Sequence, residues 1–405
     1  MLLKLARESL WSRRGTAGLC VLSIAISVFV LLAVEFVRQE ARESFGRTLA
    51  GTDLIVGARG GQLNLLLYSV FRIGEPTNNI RWDSYRAIAS DPAVAWTVPL
   101  SLGDSHRGFR VLGTTAAYFE HYRYGSERPL AAEEGVFEFA GRGAVIGANV
   151  AARLGYTIGT QIVLAHGTGG VSFRQHGDYP FTVTAILART GTPVDDTVHV
   201  SLEAIDEIHD GFNARSVRRG EAERTITAFL VGLNSRMLAF RLQRQVNGFA
   251  AEPLQAILPG VALARLWRML GSVESVLRVI SGLVLLSAFL GMSTMFLASL
   301  RERRGEIAVL RTIGASPLFL FLMLELEALL LALIGFGGGV LLVGTASRAA
   351  QGWLREDYGL LIRPYVPDAL TLWLLALILG LAAICAVVPA IGAYRTALGR
   401  SLVGR

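Results

Sequence analysis

The stretch Arg301-Glu-Arg-Arg-Gly-Glu-Ile-Ala-Val-Leu-Arg-Thr-Ile-Gly-Ala-Ser316 is a short, basic, amphipathic segment held between two long apolar runs. Ile307, Leu310 and Ile313 or Gly314 recur at helical spacing, and Glu302, Arg303, Arg304, Glu306 and Arg311 supply charge. A stripe this narrow cannot build a core. It can lie along a membrane surface or offer a docking face to a second protein. The other reading is an ordinary positive-inside loop.

Working outward, the run before it is Val279 to Leu300, with Glu274 and Arg278 just ahead. The run after it is Leu318 to Val343, interrupted by Glu325 and Glu327. Two further runs, Thr16 to Val34 and Leu370 to Ala393, hold no charge. Each reaches the ~20 residues that cross ~30 Å of hydrocarbon as a helix. They account for a mean hydropathy of +0.47 and a hydrophobic content of 52%, both high for a soluble chain. The first run is longer than the apolar core of a cleaved signal, and no small-x-small site follows it, so a retained anchor is expected.

The net charge of +7 does not point to nucleic acid, because of where the cations sit. Lys4, Arg7, Arg13 and Arg14 precede the first run; Arg301, Arg303, Arg304 and Arg311 separate the second and third; Arg395, Arg400 and Arg405 follow the fourth. Four crossings put all three groups on one side, the positive-inside pattern. Both termini are then expected in the cytoplasm, in the cell's inner (plasma) membrane, with the large insert periplasmic or extracellular. Cys20 and Cys385 lie within apolar runs, so neither a disulfide framework nor a metal site is expected from them.

The expected fold is membrane α-helical, with four transmembrane helices and a large α+β extracytoplasmic domain between helices 1 and 2. The expected order is an interfacial helix over 1–15, a first span over 16–37 and an outer domain with stalk helices over 38–275. A second span over 276–300, a cytoplasmic segment over 301–317 and a third span over 318–346 follow. An outer loop over 347–368, a fourth span over 369–393 and a cytoplasmic tail over 394–405 complete it. Phe36 to Leu49 and Val261 to Val273 read as paired stalk helices. Inside the insert, Ala144 to Gly155 reads as a strand running into a helix that ends at a glycine. Phe181 to Leu187, Thr197 to Ser201 and Thr225 to Leu233 read as strands, as does Gln161 to Ala165. Met237 to Val246 reads as a helix, and the insert divides into two lobes near residue 142.

Lys4 is the only lysine, and it lacks the G-x-x-x-x-G-K-[ST] context of a phosphate-binding loop, so the chain cannot be its own Walker-type ATPase. Gly335 and Gly339 have the GxxxG spacing that lets membrane helices approach closely, in packing or dimerisation. Glu325 and Glu327 are costly near hydrocarbon and point to nearly opposite helix faces; an interhelical polar contact or a proton relay would explain them. All six histidines fall in the insert. His166 and His176, with Asp178, flank a glycine-rich turn and are weak metal candidates; the alternative is that the histidines are surface residues. No hydrolase motif occurs, so no catalytic residue is assigned.

With these features in place, the chain resembles permeases of the MacB/FtsX/LolC-LolE type, the mechanotransmission (type VII) class of ABC transporters. Arg304 to Ser316 resembles the family's R-x-E-I-x-x-L-R-x-x-G-A-S. Glu327-Ala-Leu-Leu-Leu followed by glycines, Ala144 to Gly155 with Gly159, and Pro389-Ala390 with the basic tail are similar to other family segments. The resemblance implies a coupling helix, with Arg304, Glu306, Ile307, Leu310, Arg311 and Gly314 meeting a separate ATP-binding subunit. It implies two permeases, as a homodimer, above two ATPases that bind ATP and Mg, with no cofactor in this chain. It further implies a periplasmic adaptor, lipoprotein or binding protein as partner, and export or extraction of a peptide, drug or lipoprotein-like substrate. An ATP-gated signalling scaffold and a zinc-linked transport system are the alternatives. MacB carries a fused ATPase domain and this chain shows none, so it looks more like LolC/LolE or the stand-alone permeases.

Overall fold

The computed structural model describes residues 8, 10–11, 14–48, 50–125, 127–139, 141–167, 179–212, 224–302, 314–357 and 363–399. Two compact units result. Met1–Glu40, Gly271–Gly352 and Ile362–Arg405 form one; Ala41–Leu270 with Trp353–Leu361 form the other.

The first unit is built from long helices: α1 (Arg14–Arg47), α2 (Pro259–Glu302), α3 (Pro317–Asp357) and α4 (Ala369–Gly399). All four are long and apolar enough to cross a membrane. Local chemistry starts two of them. Ser316 Oγ accepts from Phe319 N at 3.2 Å with Pro317 at the first helical position, which begins α3. Asp368 Oδ1 accepts from Thr371 N at 3.0 Å, and the Thr371 hydroxyl accepts in return from Asp368 N at 3.2 Å, which begins α4. At about 1.5 Å per residue, the 34 residues of α1 and 44 of α2 span about 50 and 66 Å, well beyond the ~30 Å of hydrocarbon. Ile24, Val28 and Leu32 of α1 share a core with Phe289, Met292 and Phe296 of α2, Ala328, Leu331 and Ala332 of α3, and Ile378, Ala382 and Ala386 of α4. The interfacial helix expected over 1–15 lies mostly outside the described residues.

The second unit is α+β around one sheet of 11 strands. In chain order they are β1 (Leu54–Ala58), β2 (Val94–His106), β3 (Phe109–Thr114), β4 (Ala132–Gly135), β5 (Gly143–Ile146), β6 (Gln161–Ile162), β7 (Ala165–His166), β8 (Phe181–Leu187), β9 (Thr197–Ser201), β10 (Ala228–Leu233) and β11 (Leu254–Ile257). The spatial order is β11-β1-β10-β2-β3-β9-β5-β8-β4, with β7 beside β2 and β6 beside β8. Strands from before and after residue 142 thus share one sheet. β2 joins its two halves: Val94–Leu100 pairs with β10, and Ser101–His106 pairs with β3. β1 and its neighbour β10 are buried on both faces, as a sheet covered by helices on each side requires. The first and last strands lie side by side, with Ile55 opposite Ile257 and Ala58 opposite Leu254.

The strand expected over 161–165 is two two-residue strands with different partners. The strand expected over 225–233 breaks at Thr227, whose side chain accepts from Leu102 N at 2.9 Å instead. The reading of the histidines as surface residues fails at two of them. His106 is buried, with Nδ1 2.7 Å from Val163 O and Nε2 2.9 Å from the Tyr156 hydroxyl. His199 is fully buried against Tyr118 and Phe119, with Nδ1 3.1 Å from Val145 O.

Candidate functional site: the ion-paired exit of the first two helices

Glu35 and Arg38 stand one turn apart on α1 and form an ion pair. Glu274 and Arg278 stand one turn apart on α2, 4.0 Å between charged atoms. The pairs also join across the helices: Arg278 Nη2 lies 3.4 Å from Glu35 Oε2, and Arg38 Nη1 lies 3.9 Å from Glu274 Oε2. The partner numbers rise on one helix as they fall on the other, so α1 and α2 run antiparallel here. Farther along the same helices Arg42 sits over the Trp267 ring, 5.4 Å from its centre.

The cluster is neutral, two cations against two anions. Three of its side chains are about one-fifth exposed or less, which limits solvent screening relative to a surface pair. The charges also fix the level of this stretch: ionised groups avoid hydrocarbon, so the cluster marks where α1 and α2 have left it.

The chain ahead of α4 is tied in at the same part of the unit. Buried Glu40 accepts from Arg363 N at 3.1 Å. Tyr365 packs edge-on to Phe36 at 5.8 Å, its N donates to Ser347 Oγ at 3.2 Å, and its hydroxyl lies 2.7 Å from Thr371 Oγ1. Burial pushes the Tyr365 hydroxyl above its ordinary range, so it stays protonated and able to donate. All four helices therefore meet through polar contacts around Glu35, Glu40 and Tyr365. Crossed ion pairs of this kind oppose sliding of α1 along α2.

Of the coupling residues expected from sequence, Arg304, Glu306, Ile307, Leu310 and Arg311 lie outside the described residues. Gly314 is described: it is exposed, with φ +97°, a left-handed conformation that glycine adopts without strain, two residues before the cap of α3. Glu327 is buried on α3, and Glu325 is partly buried, its Oε1 without a hydrogen-bond partner among the described residues. Gly335 and Gly339 lie against α1. A Cβ at Gly335 would come within 2.7 Å of the Ile24 side chain, and one at Gly339 within 2.6 Å of Val28. His166 ends β7, opposite Asp104, while His176 and Asp178 lie outside the described residues. No group of three or more His, Cys, Asp or Glu placed to hold a metal occurs among the described residues.

Sequence reasoning missed the ion-paired cluster. Its local half was visible, since E-x-x-R closes the first apolar run and E-x-x-x-R opens the second. The cross-pairing was not, because Glu35 and Arg278 are 243 residues apart.

Two family models match the chain: the MacB-like periplasmic core domain over residues 17–248 and the FtsX-like permease C-terminal region over residues 278–398. The first alone covers more than half of the sequence. The chain belongs to this family, as an ABC-transporter permease of the MacB/FtsX type. It is a multi-pass membrane protein, and the family implies an ABC ATPase as partner. Among solved structures it is similar to the periplasmic region of MacB from Actinobacillus actinomycetemcomitans, at 9% identity over 54% of this chain and 94% of that one, with a TM-score of 0.35. It is also similar to the extracellular domain of the noncanonic ABC-type transporter YknZ from Gram-positive bacteria, at 12% identity over 50% and 98% of the two chains, with a TM-score of 0.31. A comparison with curated proteins gives no match.

Proposed function

We propose that this permease converts ATP hydrolysis by a separate ATPase subunit into movement of its outer α+β unit. ATP and Mg bind the partner, not this chain. The permease works as a pair above two ATPases, in the inner (plasma) membrane, with both termini in the cytoplasm and the outer unit beyond it. Arg304, Glu306, Ile307, Leu310, Arg311 and Gly314 make the contact with the ATPase, and the moved unit acts on a substrate outside the cytoplasm in export or extraction. The observation that carries this reading is the crossed ion-pair cluster on α1 and α2, at the level where both helices have run past the hydrocarbon. Two helices locked together there move as one strut, whereas two separate helices would each absorb displacement by bending.

The experiment exchanges the charges. Arg278→Glu alone sets a second carboxylate beside Glu35 and should uncouple ATP turnover of the complex from the outer unit's response, read by hydrogen exchange in the outer strands. Adding Glu35→Arg restores opposite charges and should recover coupling. If the single and double variants respond like the unaltered complex, the strut has no such role. Docking is tested separately: Glu306→Arg with Leu310→Asp should abolish co-purification with the ATPase, and undiminished capture would remove that assignment.

A further inference from the structure

Three buried polar atoms of the outer unit lie together without hydrogen bonds. The Tyr118 hydroxyl, His199 Nε2 and Arg72 Nε are each closed off from solvent and have no hydrogen-bond partner among the described residues. The Tyr118 and His199 rings lie 5.3 Å apart. The Arg72 cation is close enough to act on both. Folded proteins leave few such atoms, because each one costs stability.

The backbone places Arg72 here in an uncommon conformation. The turn Leu67–Phe71 is π-helical, and Arg72 caps it at φ 58° and ψ 23°, in the left-handed region that residues with a side chain rarely enter. Arg72 Nη1 donates to Ser69 O, and no carboxylate pairs with Arg72 among the described residues. His199 sits mid-strand on β9, opposite Leu112 of β3 and Val145 of β5. Its Nδ1 lies 3.1 Å from Val145 O, so Nδ1 carries the hydrogen and Nε2 is left as an acceptor.

These atoms define what would satisfy them. Arg72 Nε offers an N–H, Tyr118 an O–H, and His199 Nε2 a lone pair. A carboxyl group that arrives with a proton answers all three. Its oxygens accept from Arg72 and Tyr118, and the proton lies between an oxygen and Nε2. One cation matches a single negative charge, whereas a dianion would bury a charge without a partner. Arg110 stands near Arg72 but has Glu75 beside it. The surroundings are aromatic. Phe119 packs edge-on to His199 at 5.7 Å, and Phe137 and Phe139 pack on Phe119 at 4.9 and 5.0 Å. Phe137 is 38% exposed, so a line of two rings leads from solvent to His199. A ligand reaches the buried atoms when the Phe119 ring swings out, and an apolar body then takes its place.

We propose that Arg72, Tyr118 and His199 form a binding site for the carboxylate of an apolar organic acid, taken up together with a proton. The site stands apart from the strut on α1 and α2. The groups that face His199 are Tyr118 and Phe119 from the short helix Ala117–His121, and Arg72 from the π-helical turn. Tyr122 stacks on Tyr118 at 5.0 Å, and Asp195 near it accepts from Thr190 N and Gly191 N. His199 Nε2 is the free base among them.

The test uses the full chain with its ATPase in detergent, titrated calorimetrically with 3-phenylpropionate, with the matching neutral amide and with inorganic phosphate. The carboxylate should bind, and the amide and phosphate should bind at least about 10-fold more weakly. Affinity should rise as pH falls from about 8 to about 6, by up to about tenfold per unit. Tyr118→Phe deletes an unsatisfied hydroxyl. Without ligand it should melt no lower than the native chain, yet it should bind at least about 10-fold more weakly. Arg72→Gln should lose binding as well. Selective, pH-dependent carboxylate binding that both variants lose supports the site. Equal binding of the amide or phosphate, an affinity flat in pH, or binding unchanged in either variant overturns it. A lower melting point in Tyr118→Phe, or no carboxylate binding below about 10 mM, overturns it too.

Discussion

The outer unit and the membrane unit both bury large apolar side chains, but the membrane unit also exposes many of them along its helices. In the outer unit the large apolar groups are inside: Phe181, Phe229, Leu54 and Ile55 are fully buried. In the membrane unit Leu283, Leu372, Trp373 and Ile384 are more than half exposed, while Ala328, Ala332 and Ala382 are buried. Gly335 and Gly339 sit where α3 meets α1, with no room for a side chain. Water drives large apolar groups together in the first case. In lipid no such drive exists between helices, and contact depends on close approach of backbones and on polar links. The outer unit should therefore be most sensitive to deletion of bulk, and the membrane unit to addition of it.

The largest expected effect is in the outer unit. Phe229→Ala empties a site against Tyr85 and should cost about 3–5 kcal/mol, seen as lost hydrogen-exchange protection in β10 and its neighbours. Leu377→Ala, which removes an exposed side chain of α4, should change thermal unfolding in detergent little; a loss comparable to that at Phe229 would break the contrast.

Acid comes next. Burial first, and the nearby Arg72 cation second, push His199 down from 6.5 to about 3. The folded group is neutral where the unfolded one is charged. Its stabilising contribution is full above pH 6.5 and is lost as pH falls toward 3. At pH 4.5 the loss should be about 2–3 kcal/mol. Burial holds the Asp195 and Asp196 carboxyls above their ordinary range, which acts in the opposite sense in acid. The readout is therefore the difference in pH slope between the native chain and His199→Gln, which should be shallower.

Adding bulk to the membrane unit should cost about 1–3 kcal/mol at Gly339→Leu, by driving a side chain into Val28. Gly337→Ala, two positions away and open to space, should be neutral or slightly stabilising in the same thermal measurement. Among the changes expected to destabilise, the smallest effect belongs to Glu274→Gln, about 0.5–1 kcal/mol, although Arg278→Glu should still disturb coupling. Stability and transmission would then separate at one cluster.

Legibility in the sequence follows the same division. The four apolar runs announce α1 to α4 because lipid crossing is a local, additive property. β8 and β9 are legible because Phe181 to Leu187 and Thr197 to Ser201 combine β-branched residues with polar boundaries. The short helix from Ala148 to Leu154 ends at Gly155 as its sequence says. By contrast β4 reads Ala-Glu-Glu-Gly and has no strand propensity; only its place beside β8 makes it a strand. The burial of His199 is equally hidden, since it depends on Tyr118 and Phe119, about 80 residues away, packing over it. The candidate site was half legible: its charges end and begin apolar runs, but their pairing is a property of the folded whole. The segment at 303–313, expected from sequence to meet an ATP-binding subunit, is prominent in the sequence and lies outside the described residues.

The side-by-side placement of β1 and β11 has a consequence for how the protein is made. Glu35 is synthesised long before Arg278, and an unstructured tether of such length would leave them to find each other by slow diffusion. Completing the sheet shortens that tether to about 20 residues on each side, Glu35 to Leu54 and Ile257 to Arg278, because the outer unit's first and last strands become neighbours. Loop-closure entropy therefore favours one order of maturation: the insert folds, its termini meet, and the two long helices then clasp. A mutation that delays β11 would show as late assembly in the bilayer, far from the residue that caused it.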